Sequence, residues 1–383
     1  MARVLHIIDS LGLGGAQSVI KSYFESRPDD TGIYLFGLRT VSNAVRIAHP
    51  NVECHPAESR FSLAPLARLR HLIASERIEI LHCHLFRSQV FGTVLKGLGG
   101  GKVRLVFHEH GRAVGQEEPL SEVIAFRSFI RTFARTVDAF VCNSELARDG
   151  IVRLAPAAQP RTRVVPNPIA PLREPLIDRR AARATYDVPE SAFVVGFAGR
   201  LVEPKGWRDY LHAIKLAAGK HPVFYLLAGE GRDRSRVVAA IEELQLEQSG
   251  RLLGHVADMN TFYRALDCLV MASRWEPHGL THLEAQAHGV PVIVANVPGM
   301  SATVHAEHDA LLFEAANVDA LGEAICRLVE DTELRERLSK NGPANAARFT
   351  MDKFVEGLEE AYDATLRAYD RHPRQTGNAS KRL

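Results

Sequence analysis

Two α/β domains, each built on a parallel sheet, are what this 383-residue sequence predicts, and three observations carry the prediction. Short apolar runs alternate with segments of helical periodicity in both halves of the chain, the pattern of repeated βα units. Several of those runs end in glycine or polar residues, as strands do where an open α/β sheet presents a ligand site. From about Pro168 to Pro189 the chain turns polar and rich in proline and arginine, which places a hinge there. The length suits two domains of ordinary size.

Composition narrows the class. The chain is 46% hydrophobic and 24% charged, and no apolar run approaches the ~18 residues of a spanning helix. It opens on the strand-like Met1-Ala2-Arg3-Val4-Leu5-His6 with no cleavage site, so a soluble, cytoplasmic protein is expected. The five cysteines are scattered, odd in number and without a C-x-x-C pair, and read as reduced core thiols. Net charge is only +2, yet residues 1–185 carry 25 Lys and Arg against 17 Asp and Glu. A basic first half suits an acidic acceptor or a peripheral contact with the inner membrane surface; charges scattered over a solvated face give the same count. No nucleic-acid partner is expected.

In the first half, Val4 to Ile8 is an apolar run of the kind that starts a parallel sheet. Gly12-Leu13-Gly14-Gly15-Ala16-Gln17 leads from it into a helix, and Gln17 breaks the G-x-G-x-x-G spacing. No P-loop occurs either, so nicotinamide dehydrogenases and P-loop enzymes are disfavoured. Ile78 to His84 and Val103 to Gly111 read as two further strands ending in polar residues. Alternation puts His82 and His84 on one face and Cys83 on the other, and no further Cys or His pair completes a metal site. Phe126, Phe129, Ile130 and Phe133 recur at helical spacing, with Arg127, Arg131 and Arg135 on another face. That pattern fits a core helix with a solvated basic rim, or a surface for an anionic membrane. Ala139 to Glu145 and Val164 to Pro168 supply the next two strands.

Beyond the hinge, Phe193 to Ala198 is a buried strand running into Gly199-Arg200-Leu201 and Lys205-Gly206, a glycine-bearing turn with two cations. A planar guanidinium fork and a point-charge ammonium complement each other around a diphosphate. Val223 to Gly231 and Arg251 to Val256 repeat the strand-then-glycine pattern, and Asp267 to Ser273 is the strand feeding the most informative stretch. That stretch is Trp275-Glu276-Pro277-His278-Gly279-Leu280, a helix through Ala287, Gly289 as its stop, and Val290 to Val294 as a strand. The free amides near Gly279 make an anion site. Eight helical residues would separate Glu276 from Glu284 by about 12 Å, too far for the roughly 5 Å pair of a retaining glycosidase. The two carboxylates instead suit hydroxyls at the ends of one elongated ligand with an anionic middle, the layout of a nucleotide sugar.

Both segments resemble glycosyltransferase family four, retaining enzymes of the GT-B fold. They are G-R-L-x-x-x-K-G at 199–206 and E-P-x-G-L-x-x-L-E-A-x-A-x-G-x-P-V-I at 276–293. The likeness runs from about residue 3 to 365. It implies two Rossmann-like domains facing a central cleft: an acceptor-binding domain over 1–170, a hinge over 171–190, and a nucleotide-sugar-binding domain over 191–350. A C-terminal helix over 351–370 would cross back to the first domain, with a mobile tail over 371–383.

The resemblance also assigns residues. Glu276 would contact the donor hexose, Glu284 the ribose hydroxyls, and Gly199, Arg200, Lys205 and the Gly279-Leu280 backbone the diphosphate. Gly14 and Gly15 would lie near that diphosphate, and His110 beside the sugar and its anomeric carbon, with His108 and His84 as second choices. Many family members carry Glu where this chain has Gln17. Pro298 to Ser301 and Glu307 to Phe313 also depart from the family pattern, which puts sugar-ring contacts there in doubt.

The implied reaction moves a hexosyl group from a nucleotide diphosphate sugar, UDP before GDP, to an acceptor hydroxyl with retention. No carboxylate is placed as a covalent nucleophile, so a front-face displacement is favoured, with the leaving diphosphate taking the acceptor's proton. There is no D-x-D, and neither an obligatory metal nor another cofactor is expected. A cell-surface glycan or lipid-linked acceptor comes first, a small-molecule acceptor of secondary metabolism second. Rivals are a GT-B epimerase or phosphorylase and, in another class, a catalytically silent subunit that binds sugar nucleotides.

Overall fold

The computed structural model describes residues 2–12, 14–42, 44–57, 59, 61–99, 103–111, 120–172 and 177–371. The hinge residues 173–176 and the tail beyond 371 lie outside the described residues. The first half forms β1 (Val4–Ile8), β2 (Ile33–Gly37), β3 (Val52–Cys54), β4 (Ile80–His84), β5 (Arg104–Glu109), β6 (Ala139–Cys142) and β7 (Thr162–Val164). The second forms β8 (Phe193–Ala198), β9 (Val223–Ala228), β10 (Gly250–Gly254), β11 (Cys268–Met271), β12 (Val292–Ala295) and β13 (Leu311–Phe313).

All named pairings are parallel, in the orders β3-β2-β1-β4-β5-β6-β7 and β10-β9-β8-β11-β12-β13. The two sheets therefore share one topology, in which strand order reverses between β1 and β4 and again between β8 and β11. Strands such as Val4–Ile8 and Val223–Ala228 are buried at every position, because helices cover both faces. This explains why they read as uninterrupted apolar runs.

The first domain has a core on each face of its sheet, one around Phe36, Phe107 and Phe140, the other around Ile8, Phe24 and Val106. The second core gathers Trp207, Tyr210, Phe262 and the strands β8 to β12. Within the predicted hinge, Arg179–Ala184 is a helix capped by the Asp178 carboxylate, which accepts from the amides of Arg180 and Ala181, and Ala182 is buried in the second core. The helix Met351–Arg371 returns to the first domain, where Phe354, Leu358, Ala361 and Tyr362 join the core containing Ile8. Four of the cysteines are buried, Cys54 is half-buried, and all five are free thiols.

Candidate active site

A ligand crevice is expected at the C-terminal ends of an open sheet where strand order reverses, and here two such points face each other. Loops after β1, β4 and β5 and loops after β8 and β11 line one cleft of about 660 Å³. Gly14, Gly15 and His110 reach it from the first domain, and Arg200, Lys205, Glu276, Gly279, Leu280 and Glu284 from the second. Of the residues singled out in the sequence, Gly199 is not in the lining. Its carbonyl sits so close to Gly229 that any side chain at 229 would collide with it.

The second-domain wall is locked by close backbone approaches. A short 3-10 turn, Glu203–Lys205, ends at Gly206 with φ +71°, where a Cβ would strike the Ala272 carbonyl at the end of β11. The Arg274 amide donates to the Pro204 carbonyl at 2.8 Å, joining this turn to the Glu276 loop. Lys205 Nζ then lies 2.5 Å from Glu276 Oε2, each side chain 14% exposed. The cation assigned to the diphosphate and the carboxylate assigned to the sugar thus form one ion pair.

Two glycines grip the Glu276-Pro277 segment from opposite sides. A side chain at Gly299 would collide with the carbonyls of Glu276 and Pro277, and one at Gly111, φ +107°, would collide with the Pro277 ring. Gly111 belongs to the first domain, so Pro277 is a point where the domains touch. Leu280 packs into the core containing Ile8 and Phe354, and His278 Nε2 lies 3.3 Å from the Asn167 carbonyl, two further contacts across the cleft.

The helix after Gly279 covers only Thr281–Ala287, seven residues, with no side-chain cap. Glu276 therefore precedes the helix, and the separation of about 12 Å expected of eight helical residues does not apply. What a helix this short offers an anion is its uncapped amides rather than a long macrodipole. Inside it, Glu284 accepts a 2.7 Å hydrogen bond from the buried Tyr263 hydroxyl. Burial raises the Glu284 carboxyl above its usual range, and the tyrosine bond opposes that shift. Tyr263 is an orienting residue that no local motif signals.

The first-domain wall corrects one expectation. His82 and His84 do point to one face, but they are not alone there. Parallel register sets His6 of β1 opposite His82 and His108 of β5 opposite His84, and His110 follows. The result is a stack in which His82 and His108 rings are 5.2 Å apart at 6°, and His108 and His110 are 4.1 Å apart at 8°. Nitrogens of His6, His82 and His84, and of His84, His108 and His110, lie within 4.8 Å of one another. Within these trios the His6 and His84 nitrogens face each other at 3.0 Å, His84 and His110 nitrogens at 3.3 Å, and the His108 and His110 rings stack at 8°, so nitrogens that could ligate an ion are aimed at one another. The geometry fits a neutral histidine stack better than a metal centre. Burial lowers the pKa of His110 to about 4, and burial with the nearby Arg27 charge lowers His6 to about 3.

Two further features of this domain are invisible to motif reading. Leu85, directly after β4, adopts φ +69° while lining the cleft, a strained backbone for a leucine. Just after β1, Asp9 binds both Arg39 Nε at 3.0 Å and Arg87 Nη1 at 2.8 Å, leaving one net positive charge at that end of the sheet.

Comparison with known proteins agrees with this arrangement. Residues 24–172 match glycosyltransferase family 4, and residues 178–345 match glycosyl transferases group 1. A D-inositol 3-phosphate glycosyltransferase of Saccharomonospora viridis is 29% identical over 312 residues, which cover 76% of this chain and 71% of that protein. The lipopolysaccharide core biosynthesis glycosyltransferase LpsD of Rhizobium meliloti is 32% identical over 183 residues, 48% of this chain and 52% of that one. Among solved structures, Anabaena Alr3699/HepE in complex with UDP and glucose superposes with a TM-score of 0.79 at 19% identity, covering 95% of this chain and 100% of that chain. Sucrose-phosphate synthase from Thermosynechococcus elongatus gives 0.77 at 20% identity, covering 96% and 100%. With its two parallel-sheet domains, the chain has the GT-B fold.

Proposed function

The chain belongs to the family-four glycosyltransferases, and from that membership we propose that it moves a hexosyl group from a nucleotide diphosphate sugar to an acceptor hydroxyl with retention. The observation that carries this reading is the convergence of Arg200, Lys205, the Gly279-Leu280 amides, Glu276 and Glu284 on one wall of a cleft whose opposite wall holds His110, Gly14 and Gly15.

In this reading Glu284 holds the ribose, while Arg200, Lys205 and the amides, with Gly199, Gly14 and Gly15 nearby, hold the diphosphate. Glu276 and His110 position the sugar. Fixed positive charge beside the departing diphosphate stabilises the transition state, and that diphosphate takes the acceptor's proton on the same face. No metal or other cofactor is assigned a role. UDP is the favoured base, since the Anabaena neighbour was solved with UDP and glucose, and GDP is next.

For the acceptor, a cell-surface or lipid-linked glycan comes first, in line with the named activity of LpsD. The relatives named for D-inositol 3-phosphate favour a small, phosphorylated acceptor as the second reading. The Arg39-Asp9-Arg87 cluster, with its excess positive charge, suits phosphate in either case.

Thermal unfolding with a panel of UDP-, GDP- and ADP-sugars tests the donor site, since a ligand at 100 times its dissociation constant adds about 2.7 kcal/mol. The expected result is a rise confined to one base, UDP first, and lost in Glu284→Gln, which keeps the fold. No rise with any sugar nucleotide overturns the site, and a rise without turnover on any acceptor supports the silent-subunit reading.

Among the described residues no helix is long and apolar enough to cross a membrane. We place the protein in the cytoplasm, with peripheral contact at the inner membrane surface through the helix Leu120–Phe133. That helix buries Val123, Phe126 and Ile130 while its outer face carries Leu120 and Ile124, 74% and 55% exposed, beside exposed Arg127 and Arg131. Apolar side chains rimmed by arginine suit an anionic lipid surface. Sedimentation with phosphatidylglycerol vesicles should be strong at low salt and weak in Arg127→Glu/Arg131→Glu. Equal sedimentation with neutral phosphatidylcholine vesicles, or none with either, refutes the contact.

A further inference from the structure

The histidines at the end of the first sheet form a directed hydrogen-bonded line as well as a packing layer. His110 Nε2 lies 3.3 Å from His84 Nδ1, and His84 Nε2 lies 3.0 Å from His6 Nδ1. His6 Nε2 is 3.5 Å from the hydroxyl of Tyr362, which is 2.6 Å from His82 Nδ1. The line starts at the cleft and ends on the helix Met351–Arg371.

Burial lowers the pKa of every imidazole in it, so each is neutral near pH 7. A neutral imidazole has one N–H donor and one acceptor nitrogen, and a tyrosine hydroxyl has one hydrogen. Three proton arrangements then make all four links; the one in which His6 and His82 both donate to Tyr362 leaves the buried hydroxyl hydrogen without a partner, and two leave it paired. In one, Tyr362 donates to His82 and every other hydrogen points from His110 toward Tyr362, so that His110 carries its proton on Nε2. In the other, each direction is reversed, and His110 carries its proton on Nδ1. Reversing any single link between two imidazoles would set two hydrogens, or none, between neighbours, which in a buried site costs a full unsatisfied group.

The distances separate the two. The 2.6 Å contact to His82 is shorter than an N–H···O bond and fits an O–H donor, so the Tyr362 hydrogen lies toward His82 and its oxygen accepts a weaker, 3.5 Å bond from His6. We propose that Tyr362 is a positioning residue: through His6 and His84 it holds His110 as the Nε2–H tautomer, with Nδ1 left as an acceptor. Among the described residues neither His110 Nδ1 nor His82 Nε2 has another partner, so either arrangement leaves one N–H and one acceptor nitrogen unbonded at the ends of the line, and the ends do not favour one over the other. The C-terminal helix also places Phe354 against His108, which stacks on His110, so one helix supports both the orientation and the tautomer of that ring. The catalytic consequence rests on the reading of His110 as the sugar-facing histidine; the tautomer assignment does not.

Tyr362→Phe tests it, because it keeps the ring in the core and removes only the hydroxyl. Long-range proton–nitrogen NMR of the protein labelled with ¹⁵N-histidine should give His110 as the Nε2–H form in the wild type and a mixture of tautomers in the variant. Transfer should fall about tenfold in kcat, the worth of roughly one hydrogen bond, with the donor-induced thermal shift unchanged. An Nδ1–H His110 in the wild type, or a tautomer unaltered by Tyr362→Phe, overturns the proposal. A variant that no longer unfolds cooperatively is replaced by His6→Asn, which cuts the same line one link nearer the cleft and must alter the His110 tautomer in the same way. If the wild type shows no thermal shift with any sugar nucleotide, the donor-site reading fails while the NMR result still decides this one.

Discussion

Lys205→Met should retain the fold and lower kcat/KM for transfer by about 10²- to 10³-fold, the range seen when one fixed stabiliser of developing negative charge is removed. In the free protein Lys205 Nζ is 2.5 Å from Glu276 Oε2, and both side chains are largely shielded. A donor diphosphate brings more negative charge to Lys205 than one carboxylate does, so the lysine should exchange partners on binding and release Glu276 to the sugar. Glu276→Gln should therefore keep affinity for the bare nucleoside diphosphate while losing transfer, whereas Lys205→Met should lose both. Removing the lysine leaves the shielded Glu276 carboxylate without this cation, so Lys205→Met should be less stable than Lys205→Met/Glu276→Gln. Initial rates, calorimetric titration with UDP and thermal unfolding separate these effects. Wild-type turnover in Lys205→Met would remove the turn at 203–205 from the donor site.

What could be read in the sequence follows from how far apart the determinants lie. Buried parallel strands such as β1, β8 and β9 announce themselves as apolar runs, because every residue faces a helix. Strands of three residues, Val52–Cys54 and Leu311–Phe313, are too short to carry a period and exist through their neighbours. The two glutamates and the Arg200-Lys205 turn stood out because their spacing is local. His6 did not, and the stacking of His108 with His82 and His84 did not either, since both depend on strand order and register, across 76 residues between His6 and His82 and 24 between His84 and His108. Tyr263, Gly111 and Gly299 were equally silent, for each acts on a partner brought near only by the tertiary fold. Pro298-Gly299 read as a departure from the family pattern; in the structure its glycine is what lets the Glu276 carbonyl approach.

Lowering the pH from 7 to 5 should destabilise both domains, although most carboxylates stay ionised over that range. Burial holds His6 and His282 at about 3 and His110 and His278 at about 4, against 6.5 for an exposed imidazole. Because the folded pKa is the lower one, the unfolded chain binds more protons below pH 6.5, and stability is lost as pH falls toward the folded values. By pH 5 each of these four groups removes about 2 kcal/mol, and two lie in each domain, so each domain loses about 4 kcal/mol through them, a large part of the stability of a typical domain. His82, His84 and His108 shift in the same direction, again through burial first, and add to the loss. Glu284 works the other way: its raised pKa makes the folded state bind its proton more tightly, which favours folding in acid, but one carboxyl cannot offset the histidines. His108 offers the sharpest check, because among the described residues neither of its buried ring nitrogens has a hydrogen-bond partner. His108→Leu removes a titrating group without breaking a bond, so its acid midpoint, followed by circular dichroism and tryptophan fluorescence, should lie below that of the wild type. A wild-type thermal midpoint that does not fall between pH 7 and pH 5 would mean that these imidazoles titrate in the folded protein much as they do in the unfolded chain, and that burial does not hold them neutral.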